Sequence, residues 1–396
     1  MLSNTLKIYL LALISFLVGT SEYVIAGILD KISEDIGVSV SAAGQLITFF
    51  SLTYALGTPI LMALTGRIER RKLLLYAMVV FVLGNLLAIA LPGFGLFIAA
   101  RIIMALGAGV VVVTSLTLAA KMAAPGKQAS AIATVVTGFT AALIIGIPIG
   151  RMVAASYDWK SVFGGIGVLG LLAIIMIVFA IPRYDGEPSV PLREQLALLK
   201  TPKIAAALGV TFLWIVGYSI PYTYISPYLL QVTAMSENTL SIALFGFGVA
   251  SLIGSKLGGY STDRWGVKRT LMGGMLVHAA ALLLISFSAS SSAIVFPLLM
   301  LWSFAAWSSG PTQQYNLLTL APSASSIMLS LNTSVLQLAM AVGASAGGLI
   351  VAKVSLPSIT WIGAFGVLLA VVLIVLSRKL TSNREPATVP SVAPQA

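Results

Sequence analysis

The chain has 396 residues, 58% apolar and only 9% charged, whereas soluble domains carry about 25% charged residues. That balance excludes a water-soluble globular fold and leaves a polytopic membrane protein. The formal net charge of +11 does not point to nucleic acid. The basic residues fall in short clusters between apolar runs, where they act as topology signals. There is no cysteine, and the single histidine, His278, sits in an apolar run. No disulfide framework and no metal site is therefore expected, and His278 reads as a packing residue.

A membrane span needs about 20 apolar residues. Twelve are expected, at 7–29, 41–64, 73–91, 95–119, 129–152, 161–181, 204–229, 239–260, 270–288, 293–319, 327–351 and 359–377. Lys7 before the first run resembles a signal peptide, but no small-residue cleavage pattern closes it, so it is read as a retained span. With both termini in the cytoplasm, 17 of the 23 basic residues lie on the cytoplasmic side. The positive-inside rule then gives a multi-pass protein of the cell (inner or plasma) membrane.

The polar stretch 182–203 reads as a cytoplasmic linker. It divides an N-terminal half, 1–181, from a C-terminal half, 204–379, each of six spans. The tail 380–396, rich in Pro, Ser, Val and Ala, is expected to be disordered. Gly57 and Gly254, Arg67 and Arg264, Lys72 and Arg269, Pro125 and Pro322, Gly146 and Gly343, and Gly150 and Gly347 all differ by 197 positions. One constant offset across separate regions implies a parallel repeat of six spans. In that arrangement two halves rock about a site at the bilayer midplane.

Every carboxylate but one falls at or beyond an expected membrane surface. The exception is Glu22, within Val18-Gly-Thr-Ser-Glu-Tyr-Val-Ile-Ala-Gly-Ile-Leu29. An acid in hydrocarbon costs about 2.5 kcal/mol or more and usually faces a partner, a cavity or a pathway. Glu22 is therefore the candidate proton-coupling group, although a hydrogen-bonded structural Glu fits the same pattern. Arg101, within span 4, is geometrically able to meet it. Arg101 is equally able to snorkel to the surface.

The loop Gly259–Arg269, the run Gly146-Ile-Pro-Ile-Gly150 and the run Arg101-Ile-Ile-Met-Ala-Leu-Gly resemble motifs of the major facilitator superfamily. The loop Gly259-Tyr-Ser-Thr-Asp-Arg-Trp-Gly-Val-Lys-Arg269 is similar to that family's signature between spans 8 and 9. The resemblance gives Asp263, Arg264 and Arg269 the role of a cytoplasmic latch. The equivalent first-half loop departs from it: Gly66 takes the acid's place, leaving Arg67, Glu69 and Arg70 as a shifted version. Gly146-Ile-Pro-Ile-Gly150 resembles the G-x-P-x-G motif of antiporters in the superfamily, so Gly146, Pro148 and Gly150 are expected at a close helix contact. Arg101-Ile-Ile-Met-Ala-Leu-Gly and Asp158-Trp-Lys-Ser-Val-Phe163 match further family positions. Together these imply an all-α protein of twelve transmembrane helices in two pseudo-symmetric halves, of the drug:proton antiporter branch. Thr20-Ser-Glu-Tyr-Val and Ala43-Gly-Gln-Leu resemble arabinose or sugar efflux transporters and purine base or nucleoside efflux pumps. Trp307-Ser-Ser-Gly-Pro-Thr-Gln-Gln-Tyr315 and Leu331-Asn-Thr-Ser-Val-Leu-Gln337 resemble the purine pumps most.

Trp214, Tyr218 and Tyr222 recur every four residues and share one helix face. Gln313, Gln314, Asn332 and Gln337 are uncharged amides at membrane depth, each offering a donor and an acceptor. These seven are the candidate substrate contacts. Helix packing and interhelical hydrogen bonding explain the same pattern. The expectation is a proton-coupled exporter of a small neutral solute, a purine base or nucleoside first. Sugar or multidrug efflux is the alternative, and a transporter-fold sensor is a rival of another class. No enzyme motif is present. No cofactor is expected beyond the proton gradient as energy source, and the partners are solute, protons and lipid bilayer, with the chain a monomer.

Overall fold

The computed structural model describes residues 3–90, 92–124, 128–186, 192–321 and 325–382. Pro125, Lys127, Pro322, Arg384 and most of the expected tail lie outside them. All regular secondary structure among the described residues is helical. In the first half α1 (Asn4–Ile36), α2 (Val40–Leu64), α3 (Arg70–Ala90) and α4 (Phe94–Met122) are followed by a composite span. It consists of α5 (Gln128–Ala141), one π-helical turn (Ala142–Gly146) and α6 (Ile147–Ser156), and α7 (Trp159–Ala180) closes the half. The short α8 (Leu192–Ala197) lies in the linker. The second half holds α9 (Pro202–Thr223), α10 (Ile225–Pro227) with a π turn (Tyr228–Val232), α11 (Glu237–Phe287), α12 (Ser292–Leu320), α13 (Ser325–Lys353) and α14 (Ser358–Ser382).

Polar residues set where the helices start and stop. Ser3, Ser39, Asp158 and Ser236 each accept a backbone N–H from the first turn of α1, α2, α7 and α11, satisfying a donor that the helix leaves unpaired. Large apolar side chains remain exposed on the outside, Phe179 and Phe287 each at 85%. In a bilayer these are the lipid-facing residues.

Among the described residues, eleven helical segments are long and apolar enough to cross a membrane. Two of the twelve expected spans, 239–260 and 270–288, are joined in α11. Its 51 residues would measure roughly 77 Å if straight, over twice the ~30 Å hydrocarbon core. Gly266, with φ of 79°, turns the chain inside it, a backbone state that favours glycine. The twelve-span architecture therefore stands, with spans 8 and 9 joined at one residue.

The 197-residue repeat reappears as repeated packing. A Cβ on Gly146 or Gly150 would press onto Thr20 and Val24 of α1. A Cβ on Gly343 or Gly347 of α13 would press onto Ser219 and Tyr224 of the span that begins with α9. Corresponding small residues thus bring corresponding helix pairs together in both halves.

The first part of the linker is docked against the first half. Tyr184 accepts the Arg70 N–H at 2.8 Å through its carbonyl, and a Cβ on Gly186 would meet the backbone of Gly66 and Arg67. We call the membrane face that carries the linker the linker face, and the opposite one the distal face.

Candidate functional site

Glu22 lies on α1, facing the other half. Its Oε1 accepts from Nε2 of Gln337, on α13, at 2.9 Å. Both side chains are buried, at 6% and 4% exposure. The second oxygen of each, Glu22 Oε2 and Gln337 Oε1, is buried with no hydrogen-bond partner among the described residues. Buried polar atoms are normally satisfied, and an exception calls for an explanation such as an absent water or ligand.

Arg101 does not snorkel. It is fully buried, and its Nη1 donates to the Ser21 carbonyl at 2.7 Å while Nη2 lies 3.5 Å from the Glu22 carbonyl. Its guanidinium carbon sits 4.1 Å from the centre of the Phe50 ring. The two residues therefore meet through the backbone of α1 and not as a side-chain ion pair. Arg101 holds the turn that carries the carboxylate and places a positive charge behind it.

On the second half an aromatic cluster lies beside the Glu22–Gln337 pair. Tyr218 and Tyr222 stack at 5.0 Å, and Tyr222 stacks on Phe247 at 6.1 Å. Trp302 lies 5.7 Å from Tyr218 and 5.1 Å from Phe247. Trp302 Nε1 donates to His278 Nε2 at 2.8 Å, so His278 is a hydrogen-bonded member of the cluster as well as a packing residue. The Tyr222 hydroxyl and the Trp214 indole N–H are buried without a partner among the described residues.

The four amides separate. Only Gln337 reaches Glu22. Gln313 donates to the Ala207 carbonyl at 2.6 Å and to Thr211 Oγ1 at 3.0 Å. Thr211 in turn donates to Asn332 Oδ1 at 2.9 Å. Gln313 and Asn332 thus tie α9, α12 and α13 together, while Gln314 is exposed.

The π turn Ala142–Gly146 fits between the two halves. On one side it meets α1. On the other, a Cβ on Gly248 of α11 would meet the backbone of Leu143 and Ile144. Pro148 lies in the first turn of α6, and Arg151 follows three residues on.

Arg151 is fully buried. It donates to Asp30 and to the Gly27 carbonyl within its own half, and to Glu237 of α11 from the other half. Lys31 reaches the second oxygen of Glu237 at 3.1 Å. Ser226 donates to the Ala26 carbonyl at 2.8 Å, and Ser41 to the Gly348 carbonyl at 2.6 Å. These contacts close the distal face between the halves. In the sequence Asp30, Lys31, Arg151 and Glu237 read as separate charges at the membrane surface. The available signal is an Arg directly after Gly150, in a run otherwise without charge.

On the linker face the signature residues are more open. Arg67 is exposed, Arg70 is buried against the linker, and Glu69 lies 4.0 Å from Lys72. Asp263 and Arg269 are exposed and form no ion pair among the described residues. Arg264 donates to the Tyr260 hydroxyl at 3.0 Å.

This arrangement is a buried, partly unsatisfied acid between two pseudo-symmetric helix bundles. The chain is 60% identical over 371 residues to an uncharacterized MFS-type transporter, YbcL of Bacillus subtilis (strain 168), covering 94% of this chain and 95% of the relative. It is 30% identical over 380 residues to the inner membrane transport protein YdhP of Escherichia coli (strain K12), covering 96% of each. Its fold matches a bacterial homolog of the human lysosomal transporter Spinster, crystallised inward-facing and unoccupied. That match has a TM-score of 0.73 at 17% identity over 97% of this chain and 99% of the other. The Major Facilitator Superfamily model matches residues 11–233 and 207–394, and the chain belongs to that superfamily of transporters.

Proposed function

We propose that this transporter exports a small, flat, uncharged solute with hydrogen-bonding edges, a purine base or nucleoside first, in exchange for protons. The observation that carries the reading is the Glu22–Gln337 contact between the halves, with one free oxygen on each side chain. A solute N–H that bonds to Glu22 Oε2 is held best when the carboxylate is ionised. A proton bound at the same oxygen removes that acceptor. Proton and solute therefore compete for one atom, and exchange requires such competition. The stacked Tyr218–Tyr222 pair offers a face for a heterocycle. A site built to pair polar edges rejects ligands that lack them. The close fit of Gly146 and Gly150 against α1 supports antiport by its resemblance to the antiporter motif. The linker face, with both termini, would be cytoplasmic, and the membrane would be the cell membrane.

A second reading is export of an amphipathic organic cation. The free Glu22 oxygen beside several aromatic rings favours it, because carboxylate and π faces both attract cations.

The test is transport by the purified chain in proteoliposomes under an imposed pH gradient, with radiolabelled adenine, a pentose and a quaternary ammonium dye as probes. Gradient-driven adenine flux supports the proposal. Dye or pentose flux without adenine flux replaces the substrate. Flux indifferent to the gradient replaces antiport with uniport, and binding without flux indicates a sensor.

A further inference from the structure

A cavity of about 740 Å³ opens at the linker face of the second half, away from Glu22, between α9, α11, α12 and α14. Lys203, which is exposed, and Lys268, which is half-buried, line it together with the amide of Asn316. Val210, Leu271, Leu320 and Ile374 form its apolar walls. Among the described residues, no carboxylate lines it. Neither lysine has an ion-pair partner among the described residues. Gln313, locked to Ala207 and Thr211, keeps one wall fixed.

A second recess of about 700 Å³ shares Val267 and Lys268 with the first and adds Arg269 and Trp265. Trp265 is 56% exposed, and a half-exposed Trp beside basic residues marks the headgroup level of a bilayer. Trp265 therefore points to the headgroup level for this end of the second half, while Val210, Leu271 and Ile374 are buried among the helices. Water fills an apolar-walled space poorly, and two lysines lining one cavity repel each other until an anion lies between them. Basic pockets between transmembrane helices suit anionic headgroups.

We propose that this cavity binds an anionic phospholipid of the linker-face leaflet. Its phosphate lies between Lys203 and Lys268, and an acyl chain runs along Val210, Leu271, Leu320 and Ile374. The lipid would tie the start of α9, where the linker ends, to the turn at Gly266.

The experiment is native mass spectrometry of the full chain in detergent, titrated with phosphatidylglycerol or phosphatidylcholine of identical acyl chains. The expected result is preferential retention of phosphatidylglycerol, reduced about tenfold in K203Q/K268Q and unchanged in K72Q, which removes a charge elsewhere on the same face. A phosphatidylglycerol analogue with a diazirine in its acyl chain should label the peptide containing Leu271. Equal retention of the two lipids overturns the proposal, as does undiminished retention by the double variant or an equal loss in K72Q. Displacement of the lipid by millimolar glycerol phosphate also overturns it, in favour of a site for soluble phosphate esters.

Discussion

At the scale of single residues, Glu22 and Arg101 divide the work expected of an intramembrane ion pair. The arginine directs its donors to the α1 backbone, which leaves the carboxylate facing Gln337. Glu22→Gln is therefore expected to fold and to keep binding solute, since an amide replaces the acid at equal size. It should lose pH-driven accumulation, measured as solute uptake against its gradient. Accumulation at the wild-type level would end the assignment of Glu22 as the coupling group. The amides predict a contrast. Gln337→Ala removes a charge-assisted hydrogen bond at the site, so transport should fall by roughly tenfold or more with a small change in Tm. Gln313→Ala strips partners from Ala207 and Thr211 inside the bundle, so it should cost about 1–3 kcal/mol of stability and show first as a lower Tm. The reverse pattern would place Gln313 in the substrate site.

At the scale of elements, the composite span built on α5, the π turn and α6 explains why small residues and a proline occur together. A π turn inside a helix shifts the register of the helical residues after it, and such turns are frequent at functional sites. Here the shift sets Gly146 and Gly150 against α1 and carries Arg151 to Asp30 and Glu237. Gly146→Val adds bulk where the Cβ alone already meets Thr20, so it should lower transport together with stability. The ionic bridge predicts a different effect. Glu237 is half exposed, and its loss should cost the closed distal face about 1.5 kcal/mol, or roughly tenfold in the open population. In Glu237→Gln, a reporter cysteine at Ala26, now 1% exposed, should react with a membrane-impermeant maleimide about tenfold faster. An unchanged rate would show that the bridge does not hold that face shut.

At the scale of the whole molecule, the natural absence of cysteine allows orientation to be read with no background labelling. Cysteines at Asp185, in the docked linker, and at Ser290, between α11 and α12, are both exposed and lie on opposite faces. In intact cells Ser290→Cys should react with an impermeant maleimide and Asp185→Cys should react only after permeabilisation. Labelling of Asp185→Cys in intact cells would invert the topology. Asp185 serves better than Gly186, which packs against Gly66 and Arg67.

The sequence by itself determined the class, the twelve spans, the two halves and the special place of Glu22. Each rests on a one-dimensional quantity: apolar run length, the placement of basic clusters, a constant 197-residue offset, or the cost of charge in hydrocarbon. It named Gln337 without distinguishing it from Gln313, Gln314 and Asn332, because an amide reads the same whether it faces a partner helix, lipid or the space between halves. Only the tertiary structure decided that. It also turned Asp30, Lys31, Arg151 and Glu237 from apparent surface charges into a bridge between the halves. Glu237 stands more than 80 residues from Arg151 in the chain, and no local pattern records which distant charges two packed bundles bring within reach.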